Sequence, residues 1–305
     1  MNVLNLYIQT FTRLHNRRFD ILNIIGRMRG LLRRVALRRV PKYLSKKNTL
    51  QGRRIENLIV SFTSFPARIA NVWQVVECMK RQTYLPEKIV LWLSKDQFPH
   101  NSDVPESLRY QVDNLFEIRM VDGDIRSHKK WYYTFLEYSG KSIVTIDDDV
   151  YYHCDTLKYL VDCSRLFPNC VIANNTKQIT FTDGKIQPYD RWIVDVPPYK
   201  KENLVQIGVG GVLYPPCYAT TPLLLDKDLF LRLTPLADDL WLNAMAKIQD
   251  VPIVQTPFPY LIINMDNGSA PSLSNVNLGQ SQNDKQLSNL QMYFKEKFNK
   301  DIYSE

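Results

Sequence analysis

The sequence has no uninterrupted apolar run of about eighteen residues, so it offers no membrane-spanning helix. Arginines break every early apolar run, and the reading therefore includes no signal peptide. Cysteine is scarce and irregular: five residues, with no C-x-x-C pair. That argues against a disulfide framework and against zinc, and it fits reduced thiols in a cytoplasmic setting. Histidine is scarcer still, at four residues with none after His153. Acid is nearly missing from residues 1–54, where Asp20 alone stands against fourteen Lys and Arg. Residues 55–305 then hold 25 basic and 30 acidic residues, so the formal charge of +8 belongs to an arm and not to the body.

In the arm, Leu4, Ile8 and Phe11, then Ile21, Ile24, Ile25, Met28, Leu31, Leu32 and Val35, recur at steps of three and four. Residues 1–40 are therefore expected to form one or two basic amphipathic helices, a membrane-surface pattern. Nucleic acid is the weaker rival, because no zinc pattern or RNA-binding sheet signature accompanies the charge. Residues 41–54 read as a linker. A helix packing on the body, or on a second copy, is the plainer alternative, and the oligomeric state is left open.

The rest of the chain is organised around Ser142-Ile143-Val144-Thr145-Ile146-Asp147-Asp148-Asp149-Val150. A short, non-alternating, β-branched run predicts a strand buried on both faces. Three consecutive carboxylates cannot stay inside such a strand, so they must sit at its C-terminal end, where open α/β sheets bind ligands. A solvated acidic turn is the plain reading; Mg²⁺ or Mn²⁺ bridging to a diphosphate is the functional one. Further strands are expected at 58–62, 88–93 and 116–121, with a helix over 72–79 and others between strands. That spacing predicts βαβ units and a mostly parallel central sheet flanked by helices, an α/β fold.

Three other stretches carry polar chemistry. Ser127-His128-Lys129-Lys130 is expected to open a helix, with Ser127 as cap and the cations as an anion site. Gly208, Gly210 and Gly211 allow close backbone approach, but the spacing is not a dinucleotide fingerprint and Pro215-Pro216 blocks a following helix. Asp238 and Asp239 open an apolar-periodic helix. One acid there suits the helix dipole; two suggest a second carboxylate site, where one group could act as base. Residues 168–200 read as a long loop region with short strands. Ile253-Val254 and Tyr260–Ile263 are late strands, and a terminal helix is expected over about 285–298.

Taken together, SFTSFPARI (61–69), KIVLWLS (88–94), HKKWYY (128–133), VTIDDDVYY (144–152), GVGGVLYPP (208–216), ADDLWLNAM (237–245) and QND (282–284) resemble bacterial glycosyltransferases of the GT-A fold, of the capsule and lipopolysaccharide type. The resemblance covers roughly residues 57–290. It implies a Rossmann-like sheet, with a nucleotide-binding part over about 55–155 and an acceptor part over about 156–305. It implies Mn²⁺ or Mg²⁺ as cofactor, a nucleotide sugar donor (uridine-linked by analogy) and a saccharide or lipid-linked acceptor, with no nucleic acid. A place at the inner face of the plasma membrane would follow.

Residue by residue, Asp149 would bind the metal directly, and Asp147 the ribose or a metal-bound water. Thr63, Phe65, Arg68, Ser94, His128, Lys129, Lys130 and Asp148 would fall on the donor side, and Gly210 and Gly211 would line donor sugar or acceptor. Asp239 would be the base and Asp238 an acceptor contact. Many such enzymes use a C-terminal His as third metal ligand. This chain has none, so Asn283, Asp284 or Asp266 would substitute, or the metal would rely on the first pair and the diphosphate alone. An aspartyl-nucleophile phosphatase at Asp147, or a non-catalytic membrane adaptor, are the alternatives from other classes.

Overall fold

The computed structural model describes residues 34–35, 37–48, 51–194, 196–200, 202–259, 262–265 and 282–303. Its centre is a seven-stranded sheet of β1 (Leu58–Thr63), β2 (Lys88–Ser94), β3 (Phe116–Val121), β4 (Ser142–Thr145), β5 (Val171–Ala173), β6 (Val212–Tyr214) and β7 (Ile253–Gln255). The spatial order is 3-2-1-4-6-5-7. Strands β1 to β4 are mutually parallel, β7 runs parallel to β5, and β6 alone is antiparallel to both its neighbours. The fold is therefore α/β and Rossmann-like, with a largely parallel sheet as expected.

The flanking helices are α1 (residues 37–44), α2 (Val72–Lys80), α3 (Lys129–Glu137), α4 (Thr156–Leu166), α5 (Lys227–Leu233), α6 (Asp238–Ile248) and α7 (Gln282–Phe298). The period-two alternation of strands sorts the core into two layers. Val60, Phe62, Leu91, Val144, Ile172, Leu213 and Val254 pack on the side of α1, α2 and α4. Ile59, Val90, Trp92, Ile143, Val171, Tyr214 and Ile253 pack on the side of α3, α5, α6 and α7. Both sheet faces are covered, which is why β1 and β4 read as continuous apolar runs and not as alternating ones.

Three departures concern boundaries. Residues 41–44, expected as linker, continue α1 across Pro41. A proline inside a helix costs about 3 kcal/mol. Burial of Val40 and Leu44 in the core offsets that, at about 1.5–3 kcal/mol each. The Arg81 guanidinium, at the end of α2, caps the last turn by donating to the carbonyls of Leu44 (3.1 Å) and Lys46 (2.6 Å). Ser127, expected as a helix cap, lies in a 3₁₀ turn over Arg126–His128, and His128 takes the cap position of α3. The terminal helix begins at Gln282, slightly before the expected start. The long 168–200 segment does contain short strands, at Val171–Ala173, Thr176–Gln178, Phe181–Thr182 and Lys185–Ile186.

Candidate active site

The strand order reverses between β1 and β4, which run side by side from the centre of the sheet. In doubly wound sheets the crevice outside the carboxyl ends of such a pair is where ligands bind. Here the loop after β1 carries Ser64, Phe65 and Arg68, and the turn after β4 carries Asp147, Asp148 and Asp149. The two are joined directly. The Ser64 hydroxyl donates to Asp148 Oδ2 at 2.5 Å. One Arg68 guanidinium nitrogen lies 2.9 Å from Asp148 Oδ1 and 2.9 Å from Asp149 Oδ2. The Phe65 ring lies 5.4 Å from that guanidinium, below it. The Tyr152 hydroxyl receives the Asp147 N–H at 2.8 Å and donates to the Val209 carbonyl at 3.2 Å, tying the acidic turn to the glycine segment.

The antiparallel course of β6 brings that glycine segment to the same edge. Val212 pairs with Thr145 at the C-terminal end of β4, so Gly208–Gly210, a 3₁₀ turn just before β6, lies beside the acidic turn. Gly211 then needs φ +87°, a conformation that side chains disfavour. On the other side of the turn stands the head of α6. The Gly208 N–H donates to both oxygens of Asp239, at 3.2 and 3.1 Å, and Gln206 Nε2 donates to the Asp239 carbonyl at 3.0 Å. A Cβ on Gly208 would lie 3.1 Å from Asp239 Oδ1, 3.1 Å from Lys130 Nζ and 3.6 Å from Asp147 Oδ1. The two acidic clusters, ninety residues apart in the chain, thus converge on one glycine.

Lys130 is the bond between them. Its ammonium is 2.7 Å from Asp147 Oδ1 and 3.0 Å from Asp238 Oδ2, and the residue is 4% exposed. Burial alone would discharge it, but Asp147, Asp238 and Asp239 outweigh burial and hold its pKa well above the ordinary lysine value.

The carboxylates divide in behaviour. Burial, then the charge of Asp147, pushes Asp149 up to about 6, with Arg68 opposing. Burial also raises Asp148, against the pull of Arg68 and Ser64. At the head of α6, burial works against ionised Asp238, but the charge and hydrogen bond of Lys130 outweigh it and keep its pKa below the usual range. Burial and the charge of Asp238 push Asp239 up to about 7. A rise from 3.8 to about 7 corresponds to roughly 4 kcal/mol. A helix N-terminus supplies only about 0.3–1 kcal/mol in the other direction, so burial and repulsion decide.

Several residues expected to contact a ligand are engaged with other parts of the protein. His128 is fully buried; its ring nitrogen Nε2 donates to the Thr234 carbonyl at 2.7 Å, Nδ1 receives Trp131 Nε1–H at 3.2 Å, and its ring stacks on Phe230. Burial pushes it down to about 4, so it is a neutral core residue and not an anion contact. Lys129 is 2% exposed and ion-paired to Asp124. Ser94 is fully buried and accepts from the Asp96 N–H at 3.2 Å. The Thr63 hydroxyl donates to the Trp92 carbonyl at 2.8 Å, holding the ends of β1 and β2 together. Gly210 packs on Asn175, where a Cβ would be 2.8 Å from the Asn175 Cβ. Asn283 is buried at the start of α7, and Asp284 accepts the Tyr189 N–H at 2.8 Å. Asp266 lies outside the described residues.

Three residues escaped the sequence reading: Ser64, Tyr152 and Gln206. All lie within or just before stretches already singled out. Nothing in a single sequence marks which hydroxyl, amide or glycine in such a stretch will face the acids.

No family model and no curated protein matches this chain. Among solved structures, the mannosyltransferase PcManGT from Pyrobaculum calidifontis, in complex with GDP-Man and Mn²⁺, is 13% identical, with 84% of this chain and 70% of that one covered and a TM-score of 0.45. S. aureus TarS 1-349 is 12% identical, with 82% and 73% covered and a TM-score of 0.42. An apo UDP-glucose pyrophosphorylase is 10% identical, with 81% and 100% covered and a TM-score of 0.37. Likenesses of this size carry no assignment of activity.

Proposed function

We propose that this chain is a metal-dependent glycosyltransferase, moving a sugar from a nucleotide sugar, uridine-linked by the sequence resemblance, onto a saccharide or lipid-linked saccharide in surface polysaccharide synthesis. One observation carries the reading. A carboxylate triplet at the switch point of a Rossmann-like sheet and a carboxylate pair at the head of α6 meet around Lys130 and Gly208.

The first cluster suits a hard divalent cation such as Mn²⁺ or Mg²⁺. Its donors are all carboxylate oxygens. Asp149, pushed up to about 6 by burial and by Asp147, is a group short of positive charge. Asp149 and Asp147 would hold the ion. When bound, it would stabilise the charge collecting on the departing diphosphate. Arg68, which bridges Asp148 and Asp149, would supply charge-assisted hydrogen bonds to the same oxygens.

Asp239 would take the proton of the attacking acceptor hydroxyl. A base works best with a pKa near the working pH, and Asp239 is raised to about 7. The Gly208 N–H fixes its carboxylate in place. Asp238, kept ionised by Lys130, supplies the neighbouring charge that keeps Asp239 basic. The arm fits a lipid-linked acceptor, since each Lys or Arg near an anionic leaflet is worth about 1 kcal/mol. Residues 1–33 of that arm lie outside the described residues.

The test is release of nucleoside diphosphate from a panel of nucleotide sugars, with and without Mn²⁺, in the wild type and in Asp149→Asn. Metal-dependent release from one donor, lost in the variant, is expected. A folded wild type whose melting temperature ignores every nucleoside diphosphate in the presence of Mn²⁺ would end the reading.

A further inference from the structure

We infer that α1, together with the adjoining turn at 106–112, is a fixed contact surface for an anionic lipid bilayer. This extends the membrane part of the proposed function and does not depend on the reaction.

Helix α1 is amphipathic in place. Val40 and Leu44 are buried in the core, while Arg38, Arg39, Lys42, Lys46 and Lys47 are exposed. Among the described residues no carboxylate pairs with any of these five cations. The arm cannot neutralise them itself, because Asp20 is the only acid in residues 1–54. The acids on and beside the segments that line the groove next to α1 are already engaged. Glu77 is paired with Arg81, Asp113 with Lys80 at 2.7 Å, and Glu106 lies 3.8 Å from Arg109. The ridge is therefore left with a positive charge for an external polyanion, although residues 55–305 as a whole are acidic.

The neighbouring turn supplies the apolar half of the surface. Leu44, Lys46 and Lys47 share a groove of about 420 Å³ with Trp73 and Gln111. On either side of Gln111, Tyr110 is 81% exposed and Val112 is 50% exposed. Cations beside an exposed aromatic and an exposed aliphatic side chain match a bilayer interface, where the charges meet headgroups and the apolar groups enter the acyl boundary. A nucleic acid would use the cations but gain little from Val112. The surface is also preset in orientation: the Arg81 guanidinium caps the end of α1, and Gln111 Nε2 donates to the Trp73 carbonyl at 3.3 Å.

The experiment is flotation of the full chain with phosphatidylcholine vesicles, with and without phosphatidylserine, at low and high salt. Binding is expected only with phosphatidylserine, and weaker at high salt. Each cation removed should lower partition about fivefold, so Arg38→Ser/Arg39→Ser/Lys42→Ser should lower it about 100-fold. Tyr110→Ser/Val112→Ser should lower it too, by a factor that salt does not change. A circular dichroism melt checks the fold. If the triple variant melts early, Lys46→Ser and Lys47→Ser give the same reading at about fivefold each. A wild type that ignores phosphatidylserine overturns both this inference and the membrane part of the proposed function. Wild-type binding with unimpaired variants assigns the membrane contact to residues 1–33 and overturns this inference alone. Tighter binding to a DNA duplex than to phosphatidylserine vesicles, at equal salt, also overturns it.

Discussion

The two acidic clusters are built from the same side chain and are held in opposite ways. Asp147–Asp149 sit at the mouth of the sheet, partly open, with one arginine shared between two of the three carboxylates. Asp238 and Asp239 sit at a helix head, where one acid is ionised by Lys130 and the other is left to rise. The first arrangement is under-neutralised as a group and invites a cation from outside. The second is divided, so that one carboxylate sets the basicity of its neighbour. Burial is common to both; what separates them is where the protein's own cation is placed.

The comparison can be broken most severely at Asp149. Asp149→Asn should lower metal-dependent transfer by roughly 10³-fold or more. The same change should raise the melting temperature of the metal-free protein. A carboxyl group raised from 3.8 to about 6 costs stability when ionised, and that cost grows as pH rises through this window. Activity and stability moving together would contradict the under-neutralised account.

Asp239→Asn should lower kcat by about 10²–10⁴-fold while leaving the donor KM close to the wild-type value. In the wild type, kcat/KM should climb with pH through about 7, since Asp239 must be ionised to accept a proton, and this limb should vanish in the variant. A large rise in donor KM would move Asp239 out of the base position.

Lys130→Met removes the shared cation and should destabilise by about 3–5 kcal/mol, read as a lowered denaturation midpoint. This is opposite in sign to Asp149→Asn, and equal stabilities would mean that the clusters are not coupled through Lys130. Smallest is Gly208→Ala. The added Cβ, 3.1 Å from both Asp239 Oδ1 and Lys130 Nζ, should cost about 1–3 kcal/mol as overpacking, divided between stability and kcat. A variant indistinguishable from wild type in both would mean that the turn shifts freely.

The frame of this fold was readable from one sequence because it depends on local pattern. The strands at 58–63, 88–94, 116–121 and 142–145 lie where β-branched and apolar runs put them, and the acids after Thr145 had to leave the sheet. The site was readable only as stretches. His128 and Lys129 looked like donor contacts because a basic run at a helix start attracts anions. The structure turns His128 into the core against Phe230 and pairs Lys129 with Asp124. Lys130, next in line, faces the acids instead, and the turn at Arg126–His128 sets that phase. Gly210 and Gly211 looked like the ligand-facing glycines, yet the one wedged among the carboxylates is Gly208.

The sequence by itself determined the succession of apolar strands and helices that yields a covered parallel sheet, the position of the Asp147–Asp149 triplet at a strand end, and the segregation of positive charge into the first 54 residues. These follow from neighbours in the chain, where spacing and solvation cost act alone. Only the tertiary structure decided that Asp147 and Asp238 share one lysine, that antiparallel β6 delivers Gly208 between them, and that α1 docks with its cations outward. Each of those depends on which distant segments the sheet order sets side by side, and such contacts leave no periodic trace in the residues that make them.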